Sequence, residues 1–385
     1  MSYHLCQGQY SRQLSDKVSV SVAPNIETYF FAEKLAVEHI GNYVFSNNTT
    51  DFYFQPVVRF GFERFKPFKD SPVIMRIAAI LKQLQPILHD NAQELEYLLY
   101  LEPFPKVGLR YPATKISLFD DKRYPGAGPL ALELTDSLRS FYRQAKVAGF
   151  LAENKRFYEG ALTEVVKYVD PKIFPAMEHY YGKHFIAYHF YLMPGMPVTP
   201  GEDNYRAFGP TIITPGGEIA AMVMSSSKML ERKAAMAEYT TFGYDNREVV
   251  HLLTVHEIGH SFVNPALQPY TAQLNRDSAL FTPAFAKKLK SSYIERWETC
   301  VIEHLVRLGE IRTAHILKNY REEQRLRRLH IGQFGFVLIP FLEKQILRYE
   351  ANRKTYKSFE NFLPEILKSL HGLKPADIDR LVAGK

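Results

Sequence analysis

The sequence predicts an α+β fold, mostly helical, with a small mixed β-sheet ahead of one central apolar helix. Three observations predict it. Apolar residues recur at helical spacing through residues 72–101, 130–168 and 285–309. Residues 184–225 have instead the β-branched and aromatic content of strands. Between this stretch and the last helices lies an apolar run, residues 249–262, that carries His256, Glu257 and His260 and no proline.

Composition bounds the classes of function. The 385 residues are 46% hydrophobic and 23% charged, ordinary globular values that suffice for one large domain or two closely packed ones. The net charge of +7 raises nucleic acid or an anionic surface as partners. Lys and Arg are, however, scattered among acids and no nucleic-acid motif is present, so a generally basic surface is expected. No apolar run approaches the length of a membrane span. Cys6 and Cys300 do not make a disulfide framework. Cys300 falls beside the apolar stripe of its helix and reads as a small buried hydrophobe. Cys6 lies in a polar N-terminal stretch with no signal-peptide pattern.

Residues 1–16 are polar and read as a mobile tail. Val18, Val20 and Val22 alternate with serine and predict a strand. A helix opens at Pro24 and runs to about Ile40, and residues 47–50 read as a turn. Phe52, Tyr53, Phe54, Phe60, Phe62, Phe65 and Phe68 crowd the next segment. They suit a peptide side-chain pocket or, by the stronger expectation, the core. Residues 72–101 are helical with a break at Pro86. The proline- and glycine-rich residues 103–129 form a connector, the best candidate boundary of an N-terminal lobe. Helical patterning returns over 130–168 and again from Ile173 to Tyr181, where Gly182 caps it.

Residues 184–193 predict a strand; residues 211–225, with a turn at Pro215 and Gly216, predict a hairpin. Residues 219–225 suit either an internal strand or an edge that aligns an extended peptide. His184 and His189 are five apart on a strand and point to opposite faces, so they are poor joint ligands. Residues 228–245 predict a helix and a loop, and Asn264 and Pro265 end the central helix. Residues 267–284 are loop-like. A helix over 285–309 follows, then a charged stretch, 310–329, that reads as a solvated face. Apolar helices over 336–349 and 362–370 and a short one after Pro375 finish the chain. The expected organisation is a tail (1–16), a mainly helical lobe (17–180) and a catalytic region (181–385).

His256-Glu257-Ile258-Gly259-His260 is an H-E-x-x-H pattern. Residues four apart share a helix face, so both imidazoles can reach one tetrahedral metal. Glu257 then stands where a general base on a metal-activated water must stand. The bland reading is a core helix whose histidines bond backbone carbonyls. It leaves a buried glutamate without a partner.

The motif resembles the zincin metallopeptidases. Val263 and Ala266 occupy the positions where the metzincin branch needs glycine and histidine, which excludes that branch. The resemblance is therefore to a gluzincin, and it implies Zn²⁺ completed by a glutamate from a later helix. Ile294, Trp297, Val301, Leu305 and Leu308 mark that helix. Its wheel favours Glu298, beside the apolar stripe. The order Glu303 then Arg307, one turn apart, favours Glu303, with Arg307 orienting it. Glu303 is preferred, with Glu298 in reserve. Residues 256–265 together with 297–307 also look like a bacterial family of uncharacterised, secreted H-E-x-x-H metallopeptidases, with similarity extending upstream to residues 141–143 and 153–158. That likeness implies a zinc-dependent peptidase fold and an exported, secreted or periplasmic, protein.

The implied activity is peptide-bond hydrolysis with His256, His260 and Glu303 on Zn²⁺ and Glu257 as general base. Arg307, Tyr293, His315 and His330 are candidates for the donor to the oxyanion. The competing reading is a non-catalytic zincin-like module that binds protein or glycan. The intact Glu257 speaks against it. A zinc hydrolase acting on something other than peptides is a third reading.

Overall fold

The computed structural model describes residues 10–45, 54–88, 90–112, 116–199 and 204–384. The chain is about 61% helical and carries a mixed sheet of six strands, which places it in the α+β class. The first elements are β1 (Ser11–Gln13), β2 (Val18–Val22), α1 (Pro24–Ala36), α2 (Pro56–Phe65), α3 (Pro72–Leu88) and α4 (Ala92–Tyr100). Then come α5 (Ala127–Gln144), α6 (Val147–Glu153), α7 (Lys155–Val166), α8 (Ile173–Tyr181) and β3 (Ala187–Leu192). The short β4 (Ala207–Phe208) precedes the hairpin of β5 (Thr211–Thr214) and β6 (Gly217–Met224). The rest is helical: α9 (Arg247–Leu267), α10 (Thr271–Arg276), α11 (Pro283–Leu289), α12 (Trp297–Ile316) and α13 (Tyr320–Arg327), then α14 (Ile339–Ala351), α15 (Phe359–His371) and α16 (Pro375–Val382).

The described residues divide into two compact units. One comprises those of Met1–Val169 and Ile186–Leu253, the other those of Asp170–Phe185 and Thr254–Lys385. The first unit holds the sheet, in the order β1-β2-β3-β6-β4, with β5 also on β6. β2, β3 and β6 run parallel; β1, β4 and β5 are antiparallel to their neighbours. β3 is buried along its whole length, which suits its apolar and aromatic sequence, interrupted by His189. α1 is buried almost all round, so its polar side chains need internal partners. Asn25 donates to the carbonyls of Leu98 and Glu102 and accepts from the Phe104 amide. Glu33 accepts from the hydroxyls of Tyr29 and Tyr43 and from Asn91. Glu27 accepts from the Gly195 amide and the Tyr158 hydroxyl, each at 3.0 Å.

The second unit is built on α12, which packs against α8, α10, α13 and α14. α8 ends at Gly182, in the left-handed region at φ +65°, as its sequence predicts. Its last residue, Tyr181, stacks on Phe262 of α9 with ring centroids 4.3 Å apart. The same ring lies against α12. A Cβ at Gly309 would overlap the Tyr181 hydroxyl and sit 3.0 Å from Cζ. One at Gly259 would meet Val306 at 3.1 Å. Two glycines thus let α8, α9 and α12 approach closely.

Several expectations are corrected. The polar start is no free tail as far as it is described: Tyr10 is buried and its hydroxyl donates to the Leu151 carbonyl, while Ser11–Gln13 pair with β2. Residues 1–9, with Cys6, and the turn at 47–50, Phe52 and Tyr53 lie outside the described residues. The division differs from one at residue 180, because β2 sits between β1 and β3 and joins the sheet to the N-terminal helices. The connector 103–129 falls inside the first unit. β6 is flanked by β3 on one side and by β4 and β5 on the other, so it is no edge. Of the cluster's aromatics from Phe54 to Phe68, Phe65 alone is fully buried, against Phe31, Phe141 and Phe150, while Phe54 is exposed. Residues 228–245 carry one short 3-10 turn, Met236–Glu238, instead of a helix. Short helices, α10 among them, replace the loop expected over 267–284. α9 runs past Pro265 to Leu267, since a proline so near the end removes a single backbone bond.

Two stability experiments follow. Burial raises the Glu27 carboxyl to about 7, against the pull of its Gly195 and Tyr158 bonds. A raised carboxyl pKa makes its contribution largest at acid pH. It falls away as pH climbs from the unfolded value, 4.5, through the folded one, about 7. Glu27→Gln mimics the neutral acid, so wild type should lose about 2–3 kcal/mol relative to it between about pH 5 and 8 in urea unfolding. Parallel pH profiles would contradict this. Gly309→Ala should destabilise by about 1–3 kcal/mol, partly relieved by Tyr181→Phe in a double-mutant cycle.

Candidate metal centre

α9 and α12 supply the centre. α9 continues through residues 254–267, and its period puts His256 and His260 on one face, one turn apart. Their Nε2 atoms lie 3.3 Å from each other. Two nitrogens on one tetrahedral zinc, each about 2.0–2.1 Å from it, stand about 3.3 Å apart. From α12, Glu303 brings Oε1 to 3.4 Å from His260 Nε2 and Oε2 to 3.7 Å from His256 Nε2. One ligand atom from each of the three residues lies within 4.8 Å of the other two.

Both ring orientations are fixed from behind. An ionised carboxylate only accepts, so His256 Nδ1–H donates to Glu310 Oε1 at 2.9 Å. His260 Nδ1–H donates to Asn264 Oδ1 at 3.1 Å. That bond exists because α9 does not stop at Asn264. With both protons on Nδ1, both Nε2 lone pairs face the Glu303 carboxylate. In that neutral form of both imidazoles three acceptors converge, a group that could hold a metal ion.

The surroundings continue the pattern. Glu310 is 2% exposed and spans two histidines, its Oε2 accepting from His330 Nε2–H at 2.8 Å. Arg307 stands 3.3 Å from Glu303 Oε2, stacks over the Phe336 ring and approaches His330 Nδ1 at 3.5 Å. Glu303, Arg307 and Glu310 are spaced four and three apart and share one face of α12. Burial pushes the Glu303 carboxyl up, but the His260 bond and the charges of His256 and Arg307 outweigh it and hold it well below the usual range. The Glu310 carboxyl is likewise held low against burial, chiefly by His330 and His256. For His260, burial pulls down and Glu303 more than offsets it, raising the imidazole to about 9. Glu257 is 7% exposed, and burial raises its carboxyl against the pull of His256 and His260.

Of the residues predicted from sequence, His256, Glu257, His260, Glu303 and Arg307 meet here. The reserve, Glu298, does not join the three: it accepts from the Thr271 hydroxyl of α10 at 2.9 Å. Tyr293 is 91% exposed, in left-handed backbone ahead of α12, and faces solvent. His315 pairs with Glu323, and His330 is committed to Glu310. Cys300 is fully buried, as expected, with burial raising its thiol. His304 beside it donates to the Cys300 carbonyl. Sequence reasoning missed Glu310 and placed it at the start of a solvated face. The stretch is solvated only in part: residues 310–314 are buried, Arg312 pairs with Glu343 and Glu350, and Arg327 with Glu323 and Glu343, while 317–321 are exposed. The signal for Glu310 was its seven-residue offset from Glu303.

No described helix is long and apolar enough to cross a membrane. No curated protein and no solved structure matches the chain. A family model described as "Domain of unknown function (DUF4932)" matches residues 121–369, a span that includes α9, α12 and His330. That is more than half of the 385 residues, and the chain belongs to this family.

Proposed function

We propose that this protein is a zinc-dependent metallopeptidase of gluzincin type. The observation that carries the reading is the convergence of two Nε2 lone pairs and the Glu303 carboxylate on one point, with buried Glu257 one residue from the first histidine. His256, His260 and Glu303 would hold Zn²⁺. Bound there, zinc would act as a Lewis acid and lower the pKa of a water to about 7.

The chain's own groups do the rest. Glu257 takes the proton of the attacking water and returns it to the leaving amine. Its burial favours the protonated form, which suits the second of these tasks. Glu310 and Asn264 hold the imidazoles in one tautomer, with Nε2 presented to the metal. Arg307 fixes Glu303 from one turn along the same helix. The substrate class, a peptide or protein, comes from the motif and its resemblance to zincins.

The purified chain should contain about one zinc per molecule by elemental analysis, and His260→Ala should lose it. Glu298→Gln should leave zinc content unchanged. Glu257→Gln should keep zinc yet lower kcat/KM on a casein or peptide-library substrate by about 10²–10⁴-fold. Wild-type activity in that variant would remove Glu257 as the base. Zinc without hydrolysis of any peptide would remove the peptidase reading and leave the metal site standing. Glu310→Gln should weaken zinc affinity by about 10–100-fold in competition with a chromophoric chelator. Unchanged affinity would reduce Glu310 to a packing role.

A further inference from the structure

We infer that the first unit carries a ligand site of its own: a cavity over the hydroxyl-lined face of the sheet that takes a small organic carboxylate with a compact apolar body. The inference rests on different residues from the metal centre and stands whether or not that reading holds.

The strand registers build the floor. Gln13 pairs with Ser19 and Ser19 with His189; Ser11 pairs with Ser21 and Ser21 with Tyr191. Two rows of polar side chains therefore lie side by side on one face. The other face carries Val18, Val20, Tyr188 and Phe190, all buried, as a covered sheet should. A polar face on a strand as buried as β3 needs a reason. It lines a cavity of about 340 Å³, within the size range of small-molecule sites. Leu98, Leu101, Phe104, Tyr142 and Leu151 give the cavity apolar walls.

Two groups in it can serve a ligand: the unbonded Nε2 of His189 and the guanidinium of Arg110, which lies over the Tyr111 ring with 5.5 Å to the centroid. His189 is 6% exposed and its Nε2 has no hydrogen bond, although buried ring nitrogens are normally satisfied. Its Nδ1 lies 3.3 Å from the Tyr191 hydroxyl. Burial, with the charge of Arg110, pulls the imidazole down to about 4, so it is neutral at pH 7. With the Tyr191 hydroxyl donating to Nδ1, the proton sits on Nε2 and is offered to the cavity. Arg110 also lines the cavity and makes no ion pair among the described residues. Its charge reaches both His189 and Tyr191. One cation and one neutral N–H donor beside hydroxyls suit a single negative charge, and the apolar walls suit a hydrocarbon body. A carboxylate satisfies both, bidentate on the guanidinium.

The test titrates the full chain with hexanoate, cyclohexanecarboxylate and 3-phenylpropanoate, and with their amides, by calorimetry and ligand-observed NMR. At least one acid should bind with Kd below about 10 mM, at least about 10-fold tighter than its amide. Arg110→Met, checked for folding by circular dichroism, should weaken it by about 10-fold or more, and Arg110→Lys by much less. His260→Ala should leave the affinity for the acid unchanged, which separates this site from the metal centre. Absence of binding by all three acids, equal affinity for acid and amide, or indifference to Arg110→Met would each overturn the site. Loss of binding in His260→Ala would move the ligand to the metal centre and overturn it too.

Discussion

The second unit depends on one buried carboxylate. Glu310 lies in the interior with each oxygen committed to an imidazole, His256 on one side and His330 on the other. A carboxylate so deeply buried is tolerated only when its charge is met by donors, and two N–H groups meet it. In doing so it ties α12 to α9 and to the π-helical turn after α13, Arg328–Gln333, and it sets the tautomer of His256. The Nε2 geometry beside Glu303 is a consequence of this contact as much as of the helical period.

The approach of the helices makes the contact possible. Side chains on α9 and α12 reach each other because Gly259 and Gly309 leave room for Val306 and Tyr181. The glycine inside the H-E-x-x-H pattern is thus explained by packing, independent of any chemistry. Tyr181 adds the third side, stacked on Phe262 and edge-on to Phe359. Rigid positions for ligating groups come from helices locked in this way more reliably than from loops.

What the sequence makes legible follows from periodicity. His256 and His260 are recognisable because a helix of 3.6 residues per turn leaves one possible meeting place for their rings. Arg307 and Glu303 are legible for the same reason. Glu310 obeys the same period, yet it begins a stretch dense in Glu and Arg, and such a stretch reads as solvated unless the partners are known. Those partners, His330, Glu343 and Glu350, are 20 to 40 residues further along, and no local pattern announces them. β6, open in sequence between an internal strand and an edge, is internal. Its run Ile219-Ala220-Ala221-Met222-Val223 is apolar at every position, the pattern of a strand covered on both faces, and that pattern does not tell an edge from an interior strand. Tyr293 is one of four candidate oxyanion donors that no sequence pattern singles out, and it is 91% exposed. Its backbone is left-handed there, at φ +55°.

Charge carries the reading of the centre one step further. Ionised, Glu257, Glu303 and Glu310 bring three negative charges; Arg307 returns one positive charge, and the three imidazoles none when neutral, so the sum is minus two. Protons can supply part of the difference, as the raised positions of the Glu257 carboxyl and the His260 imidazole indicate. They cannot supply it well at the point of convergence. A proton on each Nε2 would bring two N–H groups within 3.3 Å of each other, at the cost of like-charge repulsion between the two imidazolium rings. A single divalent ion would offset both missing charges and satisfy three acceptors at once. It would also free Glu257 to ionise, the state a general base must start from. Metal affinity and base strength are in this sense coupled through the same handful of buried charges.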